Sequence, residues 1–162
     1  MTESQLIFSL AYQTPAIVLG VLLSVLIPSP PWRAIFVLPG VLIHELLHFC
    51  VAIVLNAQPV SFSLWPKRVG PNTWVMGSVA MGNIRWYNGA AVGLAPLIAP
   101  AAAIWFAPNG LTWKYGMGDL QYWALAAPMF AMCLPSSTDL KIAFTSTVPV
   151  AVIAALAWCW LH

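Results

Sequence analysis

Charge is what this sequence has least of. Only 6% of its residues are Asp, Glu, Lys or Arg and 61% are hydrophobic, whereas about a quarter of an ordinary soluble domain is charged. That shortage excludes a normal water-solvated surface and predicts an integral membrane protein. A basic run is missing too: the six Lys and Arg residues are scattered and leave a formal charge of +2, so no nucleic-acid partner is expected. Cys50, Cys133 and Cys159 are odd in number, lie in apolar stretches and form no CxxC, which argues against a disulfide framework and a thiolate zinc knuckle. Met1 to Gln5 carries an acid and no base, unlike the positive start of a secretory signal, so the first apolar segment is expected to be retained.

What remains is apolar sequence punctuated at intervals. A helix needs about 20 apolar residues to cross a bilayer, so 162 residues hold four or five crossings and leave no room for a separate soluble domain. Residues 1–162 are read as one membrane domain. The first span covers residues 6–27 and is closed by Pro28, Pro30 and Pro31, which cannot continue a helix. After Trp32 and Arg33 a second runs over 34–55, and a third over 89–107 lies between Trp86 and Tyr87 and the far-end Trp105, as interfacial aromatics would. A polar loop, 108–119, follows. The stretch 120–161 is too long for one crossing and is broken by Leu134-Pro135-Ser136-Ser137-Thr138-Asp139-Leu140-Lys141, giving spans 120–138 and 140–161. Composition does not decide whether that break is a surface turn or unwound chain at membrane depth.

Between the second and third spans the pattern changes. Val60, Phe62 and Leu64 alternate with Ser61 and Ser63, turn residues fill 66–72, and a second strand pattern covers 73–81. This predicts a β-hairpin at the membrane surface within 59–85, an interfacial loop being the alternative. The expected fold is thus mostly α: a polytopic membrane bundle of about five transmembrane segments with a small interfacial hairpin. Lys67, Arg68, Arg85 and Lys141 fall on the face shared with the amino terminus, against Arg33 and Lys114 opposite. That places the amino terminus in the cytoplasm, in a membrane read as a bacterial cytoplasmic one.

Ionisable residues are scarce, and they cluster. The chain has three His and four acids, and three of these seven are His44, Glu45 and His48. His44-Glu45-Leu46-Leu47-His48 is an HExxH motif within the second span. Four residues advance a helix by just over one turn, so both imidazoles lie on one face and can share a zinc ion. Glu45 is turned by about 100°, where it can act as general base on a zinc-bound water. His44 lies about 15 Å into the span, near mid-bilayer, where an unpaired ionisable group costs at least a few kcal/mol. The competing reading is a hydrogen-bonded polar cluster that ties helices together.

A catalytic zinc needs a third protein ligand and an open position. Val51 and Val54 occupy the positions where a metzincin would carry glycine and histidine, and the other glutamate, Glu3, is terminal. Asp119 and Asp139 remain. Asp139 is favoured because Pro135 and three hydroxyl residues precede it, a run that frees backbone and caps a helix whose dipole would hold a first-turn carboxylate. A capping role at a surface turn is the alternative, and His162, at the chain end, is a poor ligand.

The order of an HExxH span, a hairpin, another span and a later proline-to-aspartate motif resembles the site-2 protease family of intramembrane zinc metalloproteases, over roughly residues 34–143. Gly93-Leu94-Ala95-Pro96 looks like that family's small-residue and proline motif. The resemblance implies Zn2+ on His44, His48 and Asp139, with Glu45 activating water. It implies an endopeptidase that hydrolyses membrane-protein or membrane-associated peptide substrates. Two positions depart from the family pattern: Met132 stands where an asparagine is usual, and Leu140 replaces the glycine after the aspartate. Asn83 and Asn88 are the amides available to substitute for that asparagine as an oxyanion-type donor. A substrate must be extended to be cut, and an edge strand over 60–65 or 73–81 could receive it by β-addition. The alternative function is a non-catalytic membrane protein, a transporter subunit or interaction partner, that retains a zinc site.

Overall fold

A computed structural model describes residues 2–26, 30–65, 67–70, 74–75, 77–107 and 116–161. Pro28, Lys114 and His162 lie outside them, as do the side chains of Trp32 and Arg33. The chain is mostly helical. Its helices are α1 (Glu3–Tyr12), α2 (Thr14–Leu26), α3 (Pro30–Val54), α4 (Gly89–Leu94), α5 (Ile98–Trp105), α6 (Met117–Met132) and α7 (Ser137–Leu161). Four short strands follow α3: β1 (Pro59–Ser63), β2 (Lys67–Arg68), β3 (Trp74–Val75) and β4 (Ser78–Met81). Among the described residues, three stretches could cross a membrane by length and composition, Glu3–Leu23, Val37–Val54 and Ser137–Trp160, while Gly89–Trp105 is shorter. Three of the five expected segments thus carry a helix of membrane length.

Prolines and buried polar groups account for where the helices depart from expectation. The first apolar stretch is interrupted at Gln13, where α1 gives way to α2. Pro15 has no N–H to give to the preceding turn, and Gln13 at the junction is fully buried, its amide donating to Ala103 O at 2.8 Å and Tyr122 Oη at 2.7 Å. In the third segment Ala95–Leu97 forms a 3₁₀ turn around Pro96, between α4 and α5. Asp119, expected in a loop, sits in the first turn of α6. It accepts from Gly116 N at 3.1 Å and from Tyr12 Oη at 2.6 Å, which satisfies a carboxylate that would otherwise be left without partners in an apolar setting.

The last two segments are α6 and α7, of which Ser137–Trp160 is long and apolar enough to cross a membrane. Along α3, Gly40 abuts Pro128, and His44 contacts first Met132 and then Asp139, which His48 also reaches. The path from α6 through Cys133–Ser136 into α7 therefore follows α3 in one direction. The polar break lies beside the HExxH motif, not at a surface turn. Against α4 the order reverses: Gly93 meets Asp139 and Ala143, and Gly89 meets Ser146, so α4 and α7 are antiparallel.

The expected antiparallel pairing within 59–85 is present, with each side broken into two short strands. β1 pairs antiparallel with β4, Ser63 opposite Ser78, and β2 with β3, Lys67 opposite Val75, so the second strand pattern is split in two. The outer ladder folds back along α3: Phe62 of β1 stacks near Phe49 with ring centroids 5.6 Å apart, and Gly77 reaches Glu45. It follows the helix toward the motif and does not lie flat across the end of α3.

Close backbone approach makes glycine necessary at one helix crossing. A Cβ at position 40 would stand 2.2 Å from Pro128 O, whereas one at position 118 would meet nothing within 4 Å. Gly40→Ala should therefore lower the thermal unfolding midpoint of the detergent-solubilised protein, by a loss of roughly 1–3 kcal/mol from overpacking. Gly118→Ala should leave it unchanged or slightly raised, since alanine is the better helix former.

Candidate metal centre

Two elements supply three ligand atoms. In α3 the spacing of four residues stacks His44 and His48, with ring centroids 4.8 Å apart and planes at 71°. At the start of α7, Asp139 faces them. His44 Nε2 is 3.5 Å from Asp139 Oδ2, His48 Nε2 is 3.3 Å from Asp139 Oδ1, and the two Nε2 atoms are 3.1 Å apart. These three residues form a group that could hold a metal ion. His44, Glu45 and His48 are all buried.

The second nitrogen of each ring explains why the first is available. His44 Nδ1 lies 2.8 Å from Met132 O and His48 Nδ1 lies 2.8 Å from Val92 O. A carbonyl only accepts, so both Nδ1 atoms carry hydrogen and a neutral ring then presents a bare Nε2 lone pair. Two such lone pairs and a carboxylate meet within bonding range of one point with no donor between them. A cation resolves that arrangement. His44 approaches Oδ2 of Asp139 and His48 approaches Oδ1, and one ligand atom from each of the three residues lies within 4.8 Å of the others.

Asp139 is itself held in place. Ser136 N donates to Asp139 Oδ2 at 2.7 Å, and Asp139 N donates to Ser136 Oγ at 3.2 Å. This reciprocal pair is the capping box of an α-helix with Asp in the third position. One carboxylate oxygen is thus bonded and oriented as ligand carboxylates commonly are. Gly93 lets α4 approach: a Cβ there would stand 2.4 Å from Asp139 O. The α4 backbone that holds His48 through Val92 can therefore lie against the helix that carries the aspartate.

The centre opens on a cleft of about 700 Å³ lined by α3, α4, the α6–α7 break and the strands from Val75 to Met81. Its wall is apolar at Val41, Val79, Met132 and Ile142, with hydroxyls at Ser78, Ser136, Ser137 and Thr138. Glu45 lines the same cleft and has no hydrogen-bond partner among the described residues. Gly77 lies over it: a Cβ there would stand 2.8 Å from Glu45 Cγ and 2.9 Å from its Oε1.

The structure brings together His44, Glu45, His48 and Asp139, all four named from the sequence. It does not bring Asp119, which bonds Tyr12. Asn83 and Asn88 do not serve the cleft either. Asn88 is fully buried and its amide donates to Leu55 O and Asn83 O, while Asn83 donates to Asn56 O and accepts from Arg85 Nε. Sequence reasoning missed the carbonyls of Met132 and Val92, for which side-chain identity carries no signal. The capping run before Asp139 was read from the sequence, and Ser136 is its member that caps; Gly77 was missed, although a glycine inside a strand pattern is a common mark of close approach.

Metal content of the detergent-purified protein checks this assignment. His44→Ala, His48→Ala and Asp139→Ala should each lose most of the divalent metal that the parent retains through desalting. Asp119→Ala should retain the parental amount, and Ser136→Ala should fall between, because the cap is removed while the Ser136 N–H remains.

No family model, curated protein or solved structure matches this chain. What the centre does is therefore read from its own geometry.

Proposed function

We propose that the chain is an intramembrane zinc metallopeptidase, in keeping with the family resemblance of its motifs. The observation that carries this reading is the pairing of three convergent ligand atoms with a fourth group of a different kind: Glu45, buried, without a partner among the described residues, and facing the same cleft. A structural zinc site is closed by four protein ligands, whereas three ligands beside a free carboxylate are the composition of a hydrolytic one.

The donor set, two imidazoles and a carboxylate, suits Zn2+. Bound there, zinc supplies Lewis acidity, which acidifies water and polarises a peptide carbonyl. The protein's own groups do the rest. Glu45 takes one proton from the attacking water as its oxygen bonds to the carbonyl carbon and the C=O pair moves onto oxygen. The C–N bond then breaks, its electron pair leaves with nitrogen, and Glu45 returns the proton there. The products are a carboxylic acid and an amine. Gly77 confines the carboxylate from above, and the apolar wall keeps bulk water from competing.

The membrane setting is supported by the surface. In α7, residues 151–160 are exposed on every side, with Ile153 at 64% and Leu156 at 66%. A helix that is apolar all round belongs in lipid or a protein core. The chain is accordingly read as a polytopic bundle whose substrates are membrane-associated polypeptides. Their scissile segment must be extended, and β4, which lines the cleft while β1 pairs behind it, offers the nearer strand for β-addition.

Glu45→Gln separates this function from a retained but non-catalytic metal site. It should keep parental zinc and lose about 10²- to 10⁴-fold in hydrolysis of a fluorescent casein or an apolar peptide in detergent, the usual contribution of a general base. Undiminished hydrolysis in that variant would remove Glu45 from the reaction. Parent protein that binds zinc but cleaves nothing would favour the non-catalytic reading.

A further inference from the structure

Peptide hydrolysis places negative charge on the carbonyl oxygen, and efficient sites aim fixed donors at that charge. The side-chain amides that could do so are committed elsewhere: Asn83 and Asn88 bond backbone carbonyls outside the cleft, and position 132 is methionine. Donors of another kind remain at the start of α7. The first N–H groups of a helix have no intrahelical acceptor. Here three N–H groups at this end are accounted for: Ser136 N goes to Asp139 Oδ2, Asp139 N to Ser136 Oγ and Leu140 N to Ser136 O. The N–H groups of Ser137 and Thr138 have no acceptor among the described residues, and both residues line the cleft beside Asp139. They also carry the positive end of a 25-residue helix.

A second observation, on another helix, fixes where the charge would form. Glu45 is 8% exposed and its carboxylate has no hydrogen-bond partner among the described residues, and it lines this same cleft. Glu45 and the first turn of α7 line the same cleft, so a carbonyl bound there for attack by water that Glu45 activates has both helices beside it.

We propose that the backbone N–H groups of Ser137 and Thr138 are the oxyanion donors of this centre, taking the role that a side-chain amide fills in the family the motifs resemble. Their ligand is the tetrahedral, anionic form of a peptide carbonyl. The proposal rests on the metallopeptidase reading. The hydroxyls are incidental; the amide hydrogens do the work.

Proline substitution tests a backbone donor here, because the first position of a helix tolerates it: the N–H is unused by the helix and the fixed φ already suits. Ser137→Pro deletes the N–H and the hydroxyl, whereas Ser137→Ala deletes only the hydroxyl. Both are compared with the parent as full-length, zinc-loaded protein in detergent, using a fluorescent apolar peptide, a phosphinic analogue of Leu-Leu and metal analysis. Ser137→Ala, which keeps the N–H, should keep its zinc and lose far less in kcat and in phosphinic affinity than the proline variant. Ser137→Pro should keep its zinc and its KM, lose about 100-fold in kcat, and bind the phosphinic analogue more weakly by a similar factor. If proline costs zinc, replacing residue 137 by the corresponding α-hydroxy acid removes the same hydrogen without the ring, and the same loss is expected. Equal kcat and equal phosphinic affinity in the proline and alanine variants would overturn the proposal, as would an alanine variant as impaired as the proline one. Those results leave the metallopeptidase reading standing, whereas a parent protein without hydrolysis defeats both.

Discussion

Three electron-pair donors brought together without a hydrogen between them are the constraint around which the rest of the chain is arranged. Left to themselves, two imidazole lone pairs 3.1 Å apart and a carboxylate beside them repel. They are held there because each ring is fastened from behind by a carbonyl on a different element, Met132 at the end of α6 and Val92 within α4. Each of those elements is in turn brought close by a missing side chain, Gly40 against Pro128 and Gly93 against Asp139. The small residues, the helix break and the backbone carbonyls thus serve one end. They aim Nε2, Nε2 and a carboxylate oxygen at a common point.

This arrangement explains which parts of the protein were legible in the sequence. His44, Glu45 and His48 could be read because their geometry is local: helical periodicity alone places two rings together and turns the glutamate aside. Asp139 could be read because the chain holds four acids and one of them follows a helix-breaking, helix-capping run. The direction of α7 could not. A polar interruption in a long apolar stretch looks the same whether the chain reverses or continues, and only contacts such as Gly89 with Ser146 distinguish the two. The hairpin was legible as strands but not in its placement, since Phe49 with Phe62 and Gly77 with Glu45 are long-range pairings that alternation does not encode. The bend at Gln13 had a signal, Pro15, outweighed by an otherwise continuous apolar run.

Polar chemistry in this chain is carried to an unusual degree by the backbone. With so few ionisable and amide side chains, orientation of the rings falls to carbonyls and orientation of the aspartate to an N–H. Side-chain amides are kept for holding turns, as Asn88 and Asn83 do at the junction of α3, the strands and α4. An apolar environment makes this economical, because every helix that ends or breaks there leaves peptide groups that must find partners. The interruption at Pro135 supplies such groups next to the centre.

The division of ligands between α3 and α7 has a mechanical corollary. A cation held by His44, His48 and Asp139 would rivet those helices together, and Gly93 and Gly40 seat α4 and α6 tightly against the pair. Three sides of the chamber are therefore fixed to one another. The fourth side, formed by the strands, is joined to α3 by side-chain packing alone, Phe62 on Phe49 and Gly77 over Glu45 and Val41, and contributes no ligand atom to the centre.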